Sequence, residues 1–179
     1  LTNVGVRFED GLDDSGKFVR ISGVAGEPSN PGIINPNNAG AVLRFMMGVG
    51  AKLDKVRFET DFSESLGKRP HGDLLESLNQ LGVKTSSNNG KLPIVLRGGG
   101  LRGGRIWVSG AKSSQYLSSL LFLAPLIGED VEIEVRDGLV SKPLIKTTLE
   151  VMKNAGIKVD FSNDLLHFSI SYGQKYSAG

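Results

Sequence analysis

The chain repeats itself, and that repeat limits its possible folds more than any composition figure does. GKRPHGDLLESLNQLGVKT (67–85) and VSKPLIKTTLEVMKNAGIKV (140–159) share one plan. Each has a basic residue, a proline, apolar residues at helical spacing, a glycine and then a β-branched residue. Pro70 and Pro143 lie 73 positions apart, and Gly82 and Gly156 lie 74 apart. Upstream, NAGAVLRFMMGVG (38–50) matches KSSQYLSSLLFLA (112–124) in character, with Gly40 and Ser113 again 73 apart. A fixed period of this kind marks one supersecondary unit used more than once.

Each unit reads as βαβαββ. A short strand opens it, 104–109 in the later copy. A helix that is apolar nearly all round follows, at 41–50 and 114–127, and that pattern predicts a helix buried at the centre. Next come a strand (55–60 and 131–135) and an amphipathic helix (70–81 and 143–155). Proline at the first helical position and glycine past the last frame both amphipathic helices. Leu74, Leu75, Leu78 and Leu81 form one apolar stripe, and Ile145, Leu149 and Met152 form the other. Two strands close each unit, at 83–86 with 93–97 and at 157–161 with 166–170.

A partial copy opens the chain. TNVGVRF (2–8) resembles QLGVKT (80–85), and GKFVRIS (16–22) resembles KLPIVLRG (91–98). The expected division is therefore a partial repeat over 1–25, a second repeat over 26–98 and a third over 99–179. About 40 residues of βαβα are expected ahead of Leu1 on the same repeat logic. The chain thus reads as a single-domain fragment of a larger protein.

Composition narrows the function classes. Among 179 residues, 21 basic and 19 acidic side chains leave a net charge of +2, too balanced to argue for a nucleic acid or a membrane. There is no cysteine, and His71 and His167 are far apart in sequence, so neither a thiolate nucleophile nor a metal site is expected. No apolar run reaches membrane-spanning length and no signal-like segment opens the chain. The expectation is a soluble cytoplasmic protein.

Four helix starts carry the candidate chemistry: Asn38-Ala39-Gly40, Lys68-Arg69-Pro70, Lys112-Ser113-Ser114-Gln115 and Ser141-Lys142-Pro143. A helix N-terminus offers unpaired N–H groups and a partial positive charge, which suit an anion. Taken singly, Ser113 and Ser141 are ordinary N-caps, Gly40 is a turn residue and Arg69 is a surface charge. Stacked repeats would bring all four starts to one face. Hydroxyls, backbone N–H groups and an arginine fork would then meet there, which suits phosphate and carboxylate.

NAGAVLRF, GKRPHGDLLESLNQLGVK, GLRGGRIWVSGAKSSQYLSSLLFLAPL and GLVSKPLIKTTLEVMKNAGI closely resemble the 5-enolpyruvylshikimate-3-phosphate synthase family over essentially the whole chain. The resemblance implies an EPT/RTPC-like fold: an inside-out α/β, barrel-type domain of βαβαββ units around buried parallel helices, one of two such domains flanking an active site. It implies transfer of the enolpyruvyl group of phosphoenolpyruvate to shikimate 3-phosphate, in the shikimate pathway to aromatic amino acids. Ser113, Ser114, Gln115 and Ser141 would bind shikimate 3-phosphate, the serines at its phosphate. Gly40, Arg69 and Gln115 would bind phosphoenolpyruvate, or glyphosate in its place. The implied partners are these small molecules and a second domain, without cofactor, metal, nucleic acid or membrane, and the full-length enzyme would be a monomer.

Departures from the family pattern bear on activity. The N-terminal PGSKS-type motif and the second domain, which carries the proton-transfer groups, are not in this sequence. GQKYSAG (173–179) resembles the approach to the crossover into that domain. Ala41 stands where threonine is common after NAG, and Leu144 stands where many members have tyrosine. The chain alone is expected to hold no catalytic residue and to be inactive. Three rivals remain: a UDP-N-acetylglucosamine enolpyruvyl transferase-like enzyme, against which the SSQ and LVSKP motifs argue; a purely structural or regulatory half-protein that complements a separate second domain; and an RNA-binding module built on RGGGLRGGR (97–105). Stacking aromatics normally accompany such basic tracts, and none lies within 97–105, which favours a plain inter-repeat connection.

Overall fold

The computed structural model describes residues 1–177; positions 178 and 179, the end of the expected crossover approach, lie outside the described residues. An antiparallel hairpin of β1 (Arg7–Asp13) and β2 (Gly16–Ser22) comes first. One four-stranded sheet contains β3 (Ile33–Ile34), β4 (Val56–Phe58), β5 (Lys84–Asn88) and β6 (Lys91–Arg97), in the order β3-β4-β6-β5. The other contains β7 (Gly104–Gly110), β8 (Val131–Leu139), β9 (Asp160–Phe161) and β10 (His167–Ile170), in the order β7-β8-β10-β9. Each sheet thus runs first, second, fourth, third strand of its unit. In each the first pair is parallel and the others antiparallel.

Among the described residues four α-helices accompany these sheets: α1 (Gly40–Gly50), α2 (Gly72–Gln80), α3 (Ser114–Leu123) and α4 (Lys142–Asn154). The four leucines of the α2 stripe, Leu74, Leu75, Leu78 and Leu81, are all buried, each worth roughly 1.5–3 kcal/mol relative to exposure. On α4, Ile145 and Met152 are fully buried and Leu149 packs partly buried against the core. Both amphipathic helices end alike. Gly82 (φ 90°) and Gly156 (φ 80°) take the left-handed conformation, and the next residue reaches back five positions: Val83 N–H to the Leu78 carbonyl and Ile157 N–H to that of Met152. This is the Schellman termination that glycine permits.

α3 is buried nearly all round, as its sequence predicts; Tyr116 to Leu121 are each 1% exposed or less. It packs on α1 and on α4, where the Ser118 and Thr148 hydroxyls meet at 2.8 Å. α1 departs from the expectation of an all-round buried helix. It packs closely on α3 but leaves Val42 48% exposed and Phe45 only half-buried, its ring edge-on to Phe122. The two run in the same direction: Arg44 meets Gln115 in the first turns, and Gly48 meets Ser119 one turn later.

The sheets also differ from a barrel. Among the described residues they stay open and separate, because α2 packs against both β5 and β7 and holds those strands apart. α2 grips β7 by side chains instead: Ser77 Oγ and Gln80 Nε2 donate to the Trp107 carbonyl, and Trp107 N–H donates to Gln80 Oε1. The glycine-rich tract 98–103 is a tethered connection between the sheets. Gly98 N–H bonds to the Leu53 carbonyl, Arg102 N–H to that of Leu81, and Gly103 N–H to Glu129 Oε2. No helix of the described residues is long and apolar enough to cross a membrane.

Candidate anion-binding site

α1 begins at Gly40 without a side-chain cap, since Ala39 occupies the N-cap. Gly40 is buried, and a Cβ there would fall 2.9 Å from Arg69 Nη1 and 3.6 Å from Arg44 Nη1. Two guanidinium groups therefore lie over the start of α1. Among the described residues neither is in an ion pair. Arg44 also has a buried Nε with no partner, stacks its guanidinium over the Tyr116 ring and donates to Gln115 Oε1 at 2.5 Å.

The N-cap of α3 is Ser113, whose Oγ accepts from Gln115 N–H at 3.3 Å. Ser113 and Gln115 are half-buried, and Ser114 is buried at 4% exposure. Ser141 behaves differently from an ordinary cap. It sits at the N-cap of α4 in the left-handed region (φ 53°) and caps nothing with its side chain. A non-glycine residue held there is strained by about 1–3 kcal/mol, and its hydroxyl remains exposed. Its link to the α3 start runs through the backbone: Val140 N–H bonds to the Gly110 carbonyl, three residues before Ser113.

The expected start of the first amphipathic helix, α2, is corrected here. Pro70 is not its first residue. His71 N–H bonds to the Gly90 carbonyl at 2.7 Å, which keeps the chain non-helical until Gly72. Pro70 instead offers its carbonyl to Tyr116 Oη at 2.7 Å. His71 is fully buried and neither ring nitrogen has a partner. Burial, then the charges of Arg44 and Arg69, push its pKa down to about 4, so the imidazole is neutral beside the two guanidiniums.

The structure thus unites Gly40, Arg69 and Gln115 in one cluster, with Ser113 and Ser114 beside Gln115 and Ser141 joined through the backbone. Sequence reasoning missed Arg44, His71 and Tyr116. Arg44 left a readable signal, as the single charge within the otherwise uncharged GAVLRFMMGVG. Two recesses of about 780 Å³ lie away from these residues, one beside α4 and β9 and one around Lys52, Tyr172 and Tyr176. The cluster itself is an open face, with Arg69 and Ser141 exposed.

Fold and site together define a class: an α/β repeat domain that brings helix starts and two guanidiniums, unpaired among the described residues, to one face, an arrangement that suits anions. A family model described as EPSP synthase (3-phosphoshikimate 1-carboxyvinyltransferase) matches residues 2–179, and the chain belongs to that family. It is 43% identical over 169 residues, 94% of its length, to the 3-phosphoshikimate 1-carboxyvinyltransferase of Deinococcus radiodurans. It is 37% identical over 90% of its length to the protein of that name from Methanothrix thermoacetophila. The chain spans 38% of either relative. An EPSP synthase structure from Acinetobacter baumannii shares the fold, with a TM-score of 0.78 at 21% identity, over 98% of this chain and 38% of that one.

Proposed function

We propose that the chain is the substrate-binding half of an enzyme that transfers the enolpyruvyl group of phosphoenolpyruvate to shikimate 3-phosphate, releasing phosphate. One observation carries the reading. Arg69 and Arg44 converge over Gly40 without a carboxylate partner among the described residues, directly beside the Ser113–Gln115 helix start. Two guanidiniums held together repel each other, and an anion between them relieves that cost. In this reading Ser113, Ser114, Gln115 and Ser141 hold shikimate 3-phosphate. Gly40, Arg69 and Gln115 hold phosphoenolpyruvate or glyphosate. Arg69 grips a carboxylate or phosphate with two parallel N–H donors, which lysine cannot do.

Binding and orientation are this chain's share of the work. Transfer also needs a positioned acid and base, which the reading places in a second domain. The parent enzyme would be a monomeric cytoplasmic protein of the shikimate pathway. The repeat divisions 1–25, 26–98 and 99–179 belong to the same reading.

The test is a titration of the 179-residue chain with shikimate 3-phosphate, followed by NMR. Shifts are expected at Ser113–Gln115 and Ser141. Shifts scattered over the hairpin or α4 would count against the site. Phosphate release from phosphoenolpyruvate plus shikimate 3-phosphate is expected to be absent, and turnover by the isolated chain would overturn the half-enzyme reading.

A further inference from the structure

The starts of α2 and α3 are joined by side chains across the boundary between repeats. Lys112 Nζ lies 3.0 Å from Asp73 Oδ1. Four residues along, Tyr116 Oη donates to the Pro70 carbonyl. Lys112 and Tyr116 flank the Ser113–Gln115 start, while Pro70 and Asp73 bracket the turn that follows Arg69. Two bonds thus clamp the segment carrying Arg69 onto the segment carrying the serines.

The ion pair differs from others on the surface. Arg20 and Glu9, for example, are 65% and 62% exposed, and such pairs contribute little. The Asp73 side chain is only 19% exposed, and its Oδ2 is buried without a partner. Among the described residues, Lys112 is the one cation paired with this largely buried carboxylate. The hydrogen bond from Lys112 to Asp73 raises the lysine pKa further, so the ammonium stays charged across the neutral range.

We propose that Lys112 and Asp73 are a positioning pair that sets the separation of Arg69 from the Ser113–Gln115 helix start, so that filling one anion position prepares the other. This rests on the substrate reading above. An anion at the serines orders the start of α3, and through Lys112 it orders the 69–73 segment and Arg69. Coupling of this kind is a reciprocal free energy between two sites. It differs from a simple charge effect in sign. As an electrostatic neighbour alone, Lys112→Met would weaken anion binding and Asp73→Asn would tighten it. As a positioning pair, both substitutions reduce the coupling.

The experiment measures phosphoenolpyruvate affinity of the 179-residue chain with and without saturating shikimate 3-phosphate. The proteins are wild type, Lys112→Met, Asp73→Asn, the double variant and Lys112→Arg. Wild-type coupling of about fivefold or more is expected, at the lower end of typical allosteric couplings. Each single variant should fall below about twofold, with the double no worse than either, since both break one interaction. Lys112→Arg keeps the charge and should keep the coupling, and it remains informative if the neutral variants fold poorly. Equal coupling in wild type and the neutral variants overturns the proposal alone, as does wild-type binding of both ligands without coupling. Failure of shikimate 3-phosphate to bind at all overturns the substrate reading and the proposal together.

Discussion

Arg44 Nη1 donates to Gln115 Oε1 at 2.5 Å, joining a charge on the first helix of one repeat to the start of the first helix of the next. With its oxygen engaged, the Gln115 carboxamide has its NH2 group, a pair of donors, left to offer a ligand. The same guanidinium lies over the Tyr116 ring, so its orientation is fixed from two sides.

Arg44→Met is expected to release Gln115 and lower shikimate 3-phosphate affinity by about tenfold or more, from the roughly 1.5–3 kcal/mol of a hydrogen bond to a charged group. Isothermal titration of the two proteins checks this. Equal affinities would show that Gln115 needs no alignment.

Gly40→Ala places a methyl group 2.9 Å from Arg69 Nη1. The guanidinium must swing away, which displaces a long flexible side chain and leaves the fold intact. Phosphoenolpyruvate and glyphosate binding should both fall by about tenfold, the loss of roughly one charged hydrogen bond. Urea midpoints should stay level. A matched loss of stability would place the damage in folding.

At Gly48 the same addition meets something that cannot swing. A Cβ there would lie 2.9 Å from Ser119 Oγ and 3.0 Å from the Ser119 carbonyl. The α1–α3 contact must open, at a cost of about 1–3 kcal/mol for overpacking, partly offset by the better helix propensity of alanine, about 1 kcal/mol. A net destabilisation of up to about 2 kcal/mol, the cost of about 1–3 kcal/mol less the gain of about 1 kcal/mol, should appear as a lower urea midpoint with an unchanged slope.

His71 makes stability depend on pH. Its folded pKa of about 4 lies below the ordinary 6.5, so between those values the unfolded chain binds more protons. Stability from this group is full above pH 6.5 and is lost as pH falls toward 4. Between pH 7 and pH 5 the loss is about 2 kcal/mol by proton linkage. His71→Leu removes a buried imidazole with two unpartnered nitrogens and should be less sensitive to pH over that window by the same amount. Urea unfolding at both pH values is the measurement, and parallel losses in the two proteins would contradict it.

Much of the fold was legible because periodicity reports local burial. The Leu74, Leu75, Leu78 and Leu81 stripe, and the glycines at 82 and 156, located both amphipathic helices to within a few residues. Pro70 misled the α2 boundary because His71 N–H takes a tertiary partner, the Gly90 carbonyl, which no local rule contains. The all-apolar pattern of α1 likewise said nothing about which neighbours would cover it. The helix-start motifs pointed to an anion face, while Arg44 and His71 were passed over. Their significance lies in what surrounds them in space.

The sequence by itself determined the repeated βαβαββ plan, the places where helices begin and end, and the motifs that assign the chain to its family. Only the tertiary structure decided that Arg44 and Arg69 stand together over Gly40, that His71 is buried neutral beneath them, and that Lys112 ties to Asp73. Periodicity is set by each segment's own contact with the core, so one strand of text records it. The meeting of helix starts depends on how separate repeats pack, and that is settled by contacts between residues far apart in the chain.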